Sequence, residues 1–224
     1  KRRISMETGS FSSKKKLTVG AYLQNWLETY ATTNCTAKTV QGYRQSINCY
    51  TEPIAGITLQ KLDATHIQPI YAGMIKRGLS NRTVDALHKA LNIALNTAVK
   101  QGTLKRNILD SVIAPKVVKK EIEVWDAETR ANAMTVLRES QYGDFYQLGL
   151  MTGMRRGELA GLKWANVNLA NQQLQVVNTL QRITGQGLLN GQPKTERSRR
   201  SIALSPDTVA LLHEIRGRQI TQQL

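Results

Sequence analysis

The sequence predicts a mainly α protein with a small antiparallel β-sheet, an α+β chain of two segments joined by a basic linker. Three observations carry that expectation. Apolar residues recur at helical spacing from residue 17 to about 102. The pattern then changes to Val, Leu and Thr over residues 171–183, and a basic stretch without periodicity separates the two regions. At 224 residues, 41% of them hydrophobic, the chain can bury one large core or two smaller ones.

Residues 1–16 hold Lys1, Arg2, Arg3, Lys14, Lys15 and Lys16 among Gly and Ser, with no apolar period, and read as a flexible basic tail. Position 1 is Lys, not an initiator Met, so removal of a preceding stretch is expected.

The helical segment covers residues 17–106. Thr18 is placed to cap a first helix striped by Val19, Tyr22, Leu23, Trp26, Leu27 and Tyr30, and Thr36 a second bearing Val40, Tyr43 and Ile47. A third, from about 63 to 77, carries Ile67, Ile70, Tyr71, Met74 and Ile75, with Pro69 inside it as an expected kink. Ser80 caps a fourth, where Val84, Leu87, Leu91, Leu95 and Val99 run up to Gly102. Four helices with short connections make a bundle. Its polar positions Lys38, Thr39, Arg44, Lys76, Arg77, Asn81 and Arg82 are candidates to grip a duplex backbone, and the helix after Thr36 could enter a major groove. Each of these side chains can equally be a solvated surface group.

Residues 107–120 lose periodicity and contain Pro115, Lys116, Lys119 and Lys120, so they read as an exposed interdomain linker whose lysines could meet phosphates.

The second segment, residues 121–224, begins with a helix capped by Asp126 that runs to about 139 with Ala133, Met134 and Leu137 inward. In residues 144–152, Phe145, Tyr146, Leu148, Leu150 and Met151 leave no face fully polar. A buried helix is expected there, with Tyr146 in the core and Gly153 as its stop. A further helix starts near Arg155 and runs to about 164. Arginines at its start sit at the positive end of a helix, where anions are favoured by about 0.3–1 kcal/mol per charge. An anion would complete such a site. Glu158 can hold the Arg155 guanidinium and leave its other donors for phosphate oxygens, although an ordinary surface ion pair fits the same residues.

Residues 171–183 then predict strands, with Gly185, Gly187 and Asn190-Gly191 as turn signals and a last strand near 200–204. Between them lies the basic turn Pro193, Lys194, Thr195, Glu196, Arg197, Ser198, Arg199, Arg200. Ser205, Pro206 and Asp207 open a final helix containing Val209, Leu212 and Ile215.

A net charge of +15 and a pI near 10.1 point to a polyanionic partner, most simply nucleic acid. No apolar run is long enough to span a bilayer and no signal-peptide pattern appears, so no membrane role is expected. Cys35 and Cys49 fit neither a zinc site nor a disulfide framework and are expected to be packing residues in a reducing cytoplasm.

Residues 152–159 read Thr-Gly-Met-Arg-Arg-Gly-Glu-Leu, which closely resembles the first catalytic box of the tyrosine recombinases, the phage and mobile-element integrases: Thr-Gly-x-Arg-x-x-Glu-Leu. Residues 193–200 resemble that family's hairpin Pro-Lys-Thr-x-x-Ser-x-Arg. Gly-Leu-Ser-Asn-Arg-Thr-Val at 78–84, with the leucine-rich helix after it, resembles the core-binding domain more loosely. The resemblance implies a helical core-binding domain followed by the N-terminal part of a catalytic domain, the two closing on DNA as a clamp. It puts the first catalytic arginine on Arg155, its supporting acid on Glu158 and the catalytic lysine on Lys194. Thr195, Arg197, Arg199 and Arg200 become DNA contacts beside it.

The implied activity is site-specific DNA recombination or integration, by cleavage and rejoining through a 3′-phosphotyrosyl link, with no metal and no cofactor. The implied partners are a double-stranded recombination site, further copies forming a homo-tetramer on paired sites at full length, and a DNA-bending accessory protein. The setting would be the nucleoid of a bacterial or phage-infected cell.

The family also needs a His-x-x-Arg box and a nucleophilic tyrosine further along. His213 and Arg216 have that spacing but fall in the first helix after the hairpin, where the family has an ordinary surface helix. The last tyrosine, Tyr146, precedes Arg155. Tyr22, Tyr30, Tyr43, Tyr50 and Tyr71, like His66 and His88, are expected to be structural. The polypeptide as written is therefore expected to bind duplex DNA without forming the covalent intermediate. A non-catalytic, sequence-specific DNA-binding or architectural protein of the same fold is the competing expectation. RNA binding is weaker, because no aromatic stacking motif accompanies the basic clusters.

Overall fold

The computed structural model describes residues 17–118, 121–191 and 198–223. The chain is mainly α with small antiparallel sheets and divides into two units, Lys1–Lys119 and Lys120–Leu224. Among the described residues no helix is long and apolar enough to cross a membrane.

In the first unit, α1 (Val19–Trp26) starts where the Thr18 hydroxyl accepts the Ala21 N–H. It continues through a π turn over Leu27–Ala31 into the short α2 (Thr32–Asn34). Here the hydroxyls of Thr29, Thr32 and Thr33 each donate to the carbonyl four residues back, which competes with regular helix hydrogen bonding. The helices α3 (Ala37–Tyr50), α4 (Ala64–Lys76) and α5 (Asn81–Lys100) start at Thr36, Asp63 and Ser80, each side chain accepting a first-turn N–H. Pro69 lies inside α4, and the helix continues through it.

The bundle core joins Val19, Tyr22, Leu23, Trp26 and Leu27 to Val84, Leu87, Leu91, Ala94 and Leu95, with Ile47, Ile67 and Tyr71 from the other helices. Its polar ends are all used. The Tyr22 hydroxyl donates to the Ala94 carbonyl at 2.7 Å, the Trp26 indole N–H to Thr97 at 3.2 Å, and the Tyr71 hydroxyl pairs with His88 at 2.9 Å. Burial pushes the Tyr22 phenol up to about 12, as expected of a structural tyrosine.

Two expectations for this unit need correction. Residues 107–112 are not a free linker: Asn107 is buried, donates to Asn92 and Asn96 on α5, and accepts the Leu109 N–H to start a 3₁₀ turn. Leu109 and Val112 then enter the bundle core, so loss of helical period marked a change of conformation and not an exit from the fold. Cys49 is exposed on the last turn of α3, and only Cys35 packs against the core.

The second unit contains α6 (Ala127–Arg138), α7 (Gly143–Thr152), α8 (Arg156–Ala160), β1 (Val167–Asn168), β2 (Gln173–Val176), β3 (Thr179–Ile183), β4 (Gly187–Gly191), β5 (Arg200–Ala203) and α9 (Pro206–Gln223). Where one sheet was expected, the described residues form two: β1-β2-β5 in that order, and the hairpin β3-β4. Ile183 pairs with Gly187, which fixes the hairpin loop around Gly185 at φ 80°. Asn190-Gly191, a turn signal in the sequence, lies inside β4 opposite Leu180 and Thr179.

Leu148, Met154, Leu174, Val176, Leu204, Leu211, Leu212 and Ile215 form this unit's core. The expectation that α7 is buried all round is overturned. Leu148 points inward, but Tyr146 is 47% exposed, and Tyr142, Leu150 and Met151 are also exposed. The neighbours α6, α8 and α9 cover only part of α7, so its second apolar stripe is left facing outward.

The hairpin carries α8 against β3. A Cβ at Gly161 would lie 3.0 Å from the backbone of both Thr179 and Leu180, and one at Gly157 would lie 3.3 Å from the Leu180 carbonyl. Gly161→Ala is therefore expected to destabilise this unit by about 1–3 kcal/mol through overpacking against main chain that cannot yield cheaply. Urea unfolding followed by tryptophan fluorescence measures it, and an unchanged midpoint would contradict the close approach.

Candidate functional site

The site begins at the break between two helices. Gly153, at φ 64°, ends α7 in the left-handed conformation, and the buried Met154 anchors the turn. Arg155 follows in extended backbone, φ −70° and ψ 152°, and α8 starts at the next residue. This helix is one short turn that ends at Gly161, not the run to residue 164 the sequence predicted. Trp164–Asn166 forms a separate 3₁₀ turn.

Glu158 is the centre of the site. It is 3% exposed, whereas the Arg155 side chain beside it is 74% exposed. The carboxylate accepts four hydrogen bonds. Oε2 takes the Arg155 backbone N–H at 2.9 Å and Arg200 Nη2 at 2.9 Å; Oε1 takes Arg155 Nη1 at 2.9 Å and Arg200 Nη1 at 3.2 Å. The Arg200 hydrogen bonds, helped by those from Arg155 and opposed by burial, lower the Glu158 pKa from 4.5 to about 2. The acid is thus a fixed anion at neutral pH, and it leaves most of the Arg155 fork open to solvent. Such a fork can meet two oxygens of a phosphodiester at once.

Arg200 was expected beside the DNA. It opens β5 on the same strand face as the half-buried Ile202, and its guanidinium turns onto Glu158. Sequence reading missed this pairing because 42 residues separate the partners. One signal could have found it: alternation along 200–203 puts a charge on the inward phase of a strand, and such a charge needs a partner.

Of the other expected residues, Lys119, Lys120, Lys194, Thr195 and Arg197 lie outside the described residues. Arg199 is exposed just before β5. In the first unit Lys76, Arg77, Arg82 and Lys116 are exposed and Arg44 is half-buried. The Lys38 ammonium donates to Gln41, and the Thr39 hydroxyl pairs with Thr36. The Asn81 amide donates to the Lys116 carbonyl at 2.9 Å, which gives it a structural task. The Arg216 guanidinium sits 5.6 Å from the centre of the Trp164 ring.

The model of the phage integrase SAM-like domain matches residues 18–117. An integrase of Saccharopolyspora erythraea is 30% identical over 190 residues, covering 81% of this chain and 43% of that protein. The chain is similar to the phage integrases and tyrosine recombinases.

A XerC-like tyrosine recombinase of Caldanaerobacter subterraneus is 24% identical over 224 residues, 93% of this chain and 57% of the other. The chain thus spans about half the length of the curated recombinases it matches. Its fold is that of the Tn1549 transposon integrase solved with transposon right end DNA, at a TM-score of 0.75 and 19% identity over 90% of this chain and 65% of that one. A lambda integrase tetramer bound to a Holliday junction matches at 0.60 and 19% identity, covering 79% of this chain and 51% of the other. In this chain Arg155 and Glu158 stand in the Thr-Gly-x-Arg-x-x-Glu-Leu pattern, with the carboxylate buried and the arginine exposed.

Proposed function

We propose that this chain supplies the DNA-gripping part and the first half of the catalytic centre of a site-specific recombinase, which cleaves and rejoins duplex DNA through a 3′-phosphotyrosyl link. The observation that carries the reading is an exposed arginine held by a buried, fully hydrogen-bonded glutamate inside the family's box.

In the reaction a tyrosine hydroxyl attacks phosphorus, the bond to the 5′ oxygen breaks, and a free 5′ hydroxyl leaves. Phosphate-ester energy is kept in the new bond, so rejoining needs no nucleotide. Arg155 neutralises the non-bridging oxygens as charge builds there, and Lys194 protonates the departing oxygen. The nucleophile and the His-x-x-Arg box are proposed to come from outside residues 1–224, in keeping with relatives about twice as long. Copies of the whole recombinase are proposed to assemble as a tetramer on two paired sites, in the DNA-associated compartment of the host cell, with an accessory DNA-bending protein.

The exposed cations Lys76, Arg77, Arg82 and Lys116, together with Lys38 and Arg44, are proposed to contact backbone phosphates, as are Lys119, Lys120, Thr195, Arg197 and Arg199. If six or more such contacts form, duplex affinity falls by about 10³-fold or more between 50 and 200 mM salt. Titration of a labelled duplex with this chain across that salt range measures the slope. A nearly flat slope, or equal competition by structured RNA, would overturn the assignment of duplex DNA as partner.

A further inference from the structure

We infer that Arg200 is a positioning residue for Arg155 and not a DNA contact: it clasps Glu158 from the strand side, so that the carboxylate presents fixed acceptors to the arginine opposite. The inference rests on the proposed reading of Arg155 as the phosphate ligand, and it deepens that reading.

The geometry is specific. Each terminal nitrogen of Arg200 reaches a different oxygen of the same carboxylate, at 3.2 and 2.9 Å, which is the two-pronged arrangement only a guanidinium can make. Each of those oxygens also accepts one hydrogen bond from Arg155, one from its side chain and one from its backbone. A carboxylate has about four lone-pair positions, and all are filled. Arg200 is on β5, whose pairing with β2 sets Val176 opposite Arg200. The clasp therefore ties the α8 end of the site to the three-stranded sheet. Its side chain is 31% exposed, against 74% for Arg155. The exposed arginine is placed to meet DNA and the inner one to hold it in place. Burial of Glu158 sharpens the need for both, since an anion shielded from water must take its hydrogen bonds from protein.

The test uses guanidinium ¹⁵N NMR of this chain, free and with a short duplex at low salt. Held by Glu158, both arginines should show slowed rotation about the Cζ–Nε bond. On duplex addition the Arg155 signals are expected to shift while those of Arg200 stay within line width. In Arg200→Lys, which keeps the charge but loses the fork, the Arg155 signals should merge into fast exchange and the Glu158 carboxyl should titrate well above its native value of about 2. In Arg200→Gln, which also removes the charge, duplex affinity should stay within about twofold, with the salt slope unchanged, because no phosphate contact is removed.

A shift of Arg200 on duplex addition in the unaltered chain, or a salt slope reduced by about one in Arg200→Gln, would overturn the inference and make Arg200 a phosphate contact. The first of these measurements needs no variant, so it stands even if the lysine form does not fold. If Arg155 itself fails to respond to the duplex while Arg200→Lys still loosens it, the clasp holds and the phosphate-ligand reading of Arg155 is what fails.

Discussion

Replacing Arg155 with alanine, in a recombinase that contains these 224 residues together with its nucleophile, is expected to lower single-turnover cleavage of a suicide substrate by about 10²–10³-fold or more. Loss of a preorganised donor at a developing oxyanion typically has that effect, about 2.7–4 kcal/mol of transition-state stabilisation. Duplex binding should change little, since one phosphate contact among several is removed. Arg155→Lys should recover only part of the rate, because an ammonium keeps the charge but cannot span two oxygens. The separation of rate from affinity is the diagnostic feature. A variant that loses both in equal proportion would mean that Arg155 serves binding alone, and normal cleavage would remove it from the mechanism.

The second large effect concerns Glu158. Its carboxyl is lowered from 4.5 to about 2, first through Arg200 and then through Arg155. Because the folded pKa lies below the unfolded one, this stabilisation is fully present above about pH 4.5 and disappears as pH falls through about 2. The shift corresponds to roughly 3 kcal/mol at neutral pH. Removing one member of a buried ion pair typically costs about 3–5 kcal/mol, and the exposure of Arg155 places this cluster at the lower end.

Glu158→Gln is therefore expected to destabilise the second unit by about 3 kcal/mol at pH 7 and to lose the part of the acid dependence that falls between pH 4.5 and 2. Cleavage should fall with it, since an amide NH₂ donor replaces one of the two carboxylate oxygens and Arg155 loses either its side-chain or its backbone acceptor. Urea titrations of the two proteins from pH 7 to 2 measure the effect. Parallel stability profiles over that range would show that the cluster carries no such linkage.

Much of this architecture is legible in local chemistry. Thr18, Thr36, Ser80 and Asp126 each cap a helix from the position where their side chains predict one, and Gly153 stops α7 as its lack of a Cβ allows. The pairing of Arg155 with Glu158 was also readable, because the partners are three residues apart and close through a single helical turn, but the burial of Glu158 was not. What escaped depends on contacts distant in sequence. The apolar stripe of Tyr146 and Leu150 suggested burial on every side, yet periodicity cannot show how many neighbours a helix has. Asn107 looked like a linker residue because its partners, Asn92 and Asn96, lie a helix away. Arg200 looked like one more cation in a basic turn until β5 brought it to Glu158.

The most direct test of Arg155 as the group that neutralises the cleaved phosphate uses a duplex with a single neutral methylphosphonate at that position. Cleavage by the unaltered recombinase and by Arg155→Ala is compared on the ordinary and the neutral substrate. If Arg155 acts by offsetting charge on the non-bridging oxygens, the deficit of the alanine variant should shrink by at least about tenfold on the neutral linkage, where less charge is left to offset. An equal deficit on both substrates would contradict the role assigned to Arg155.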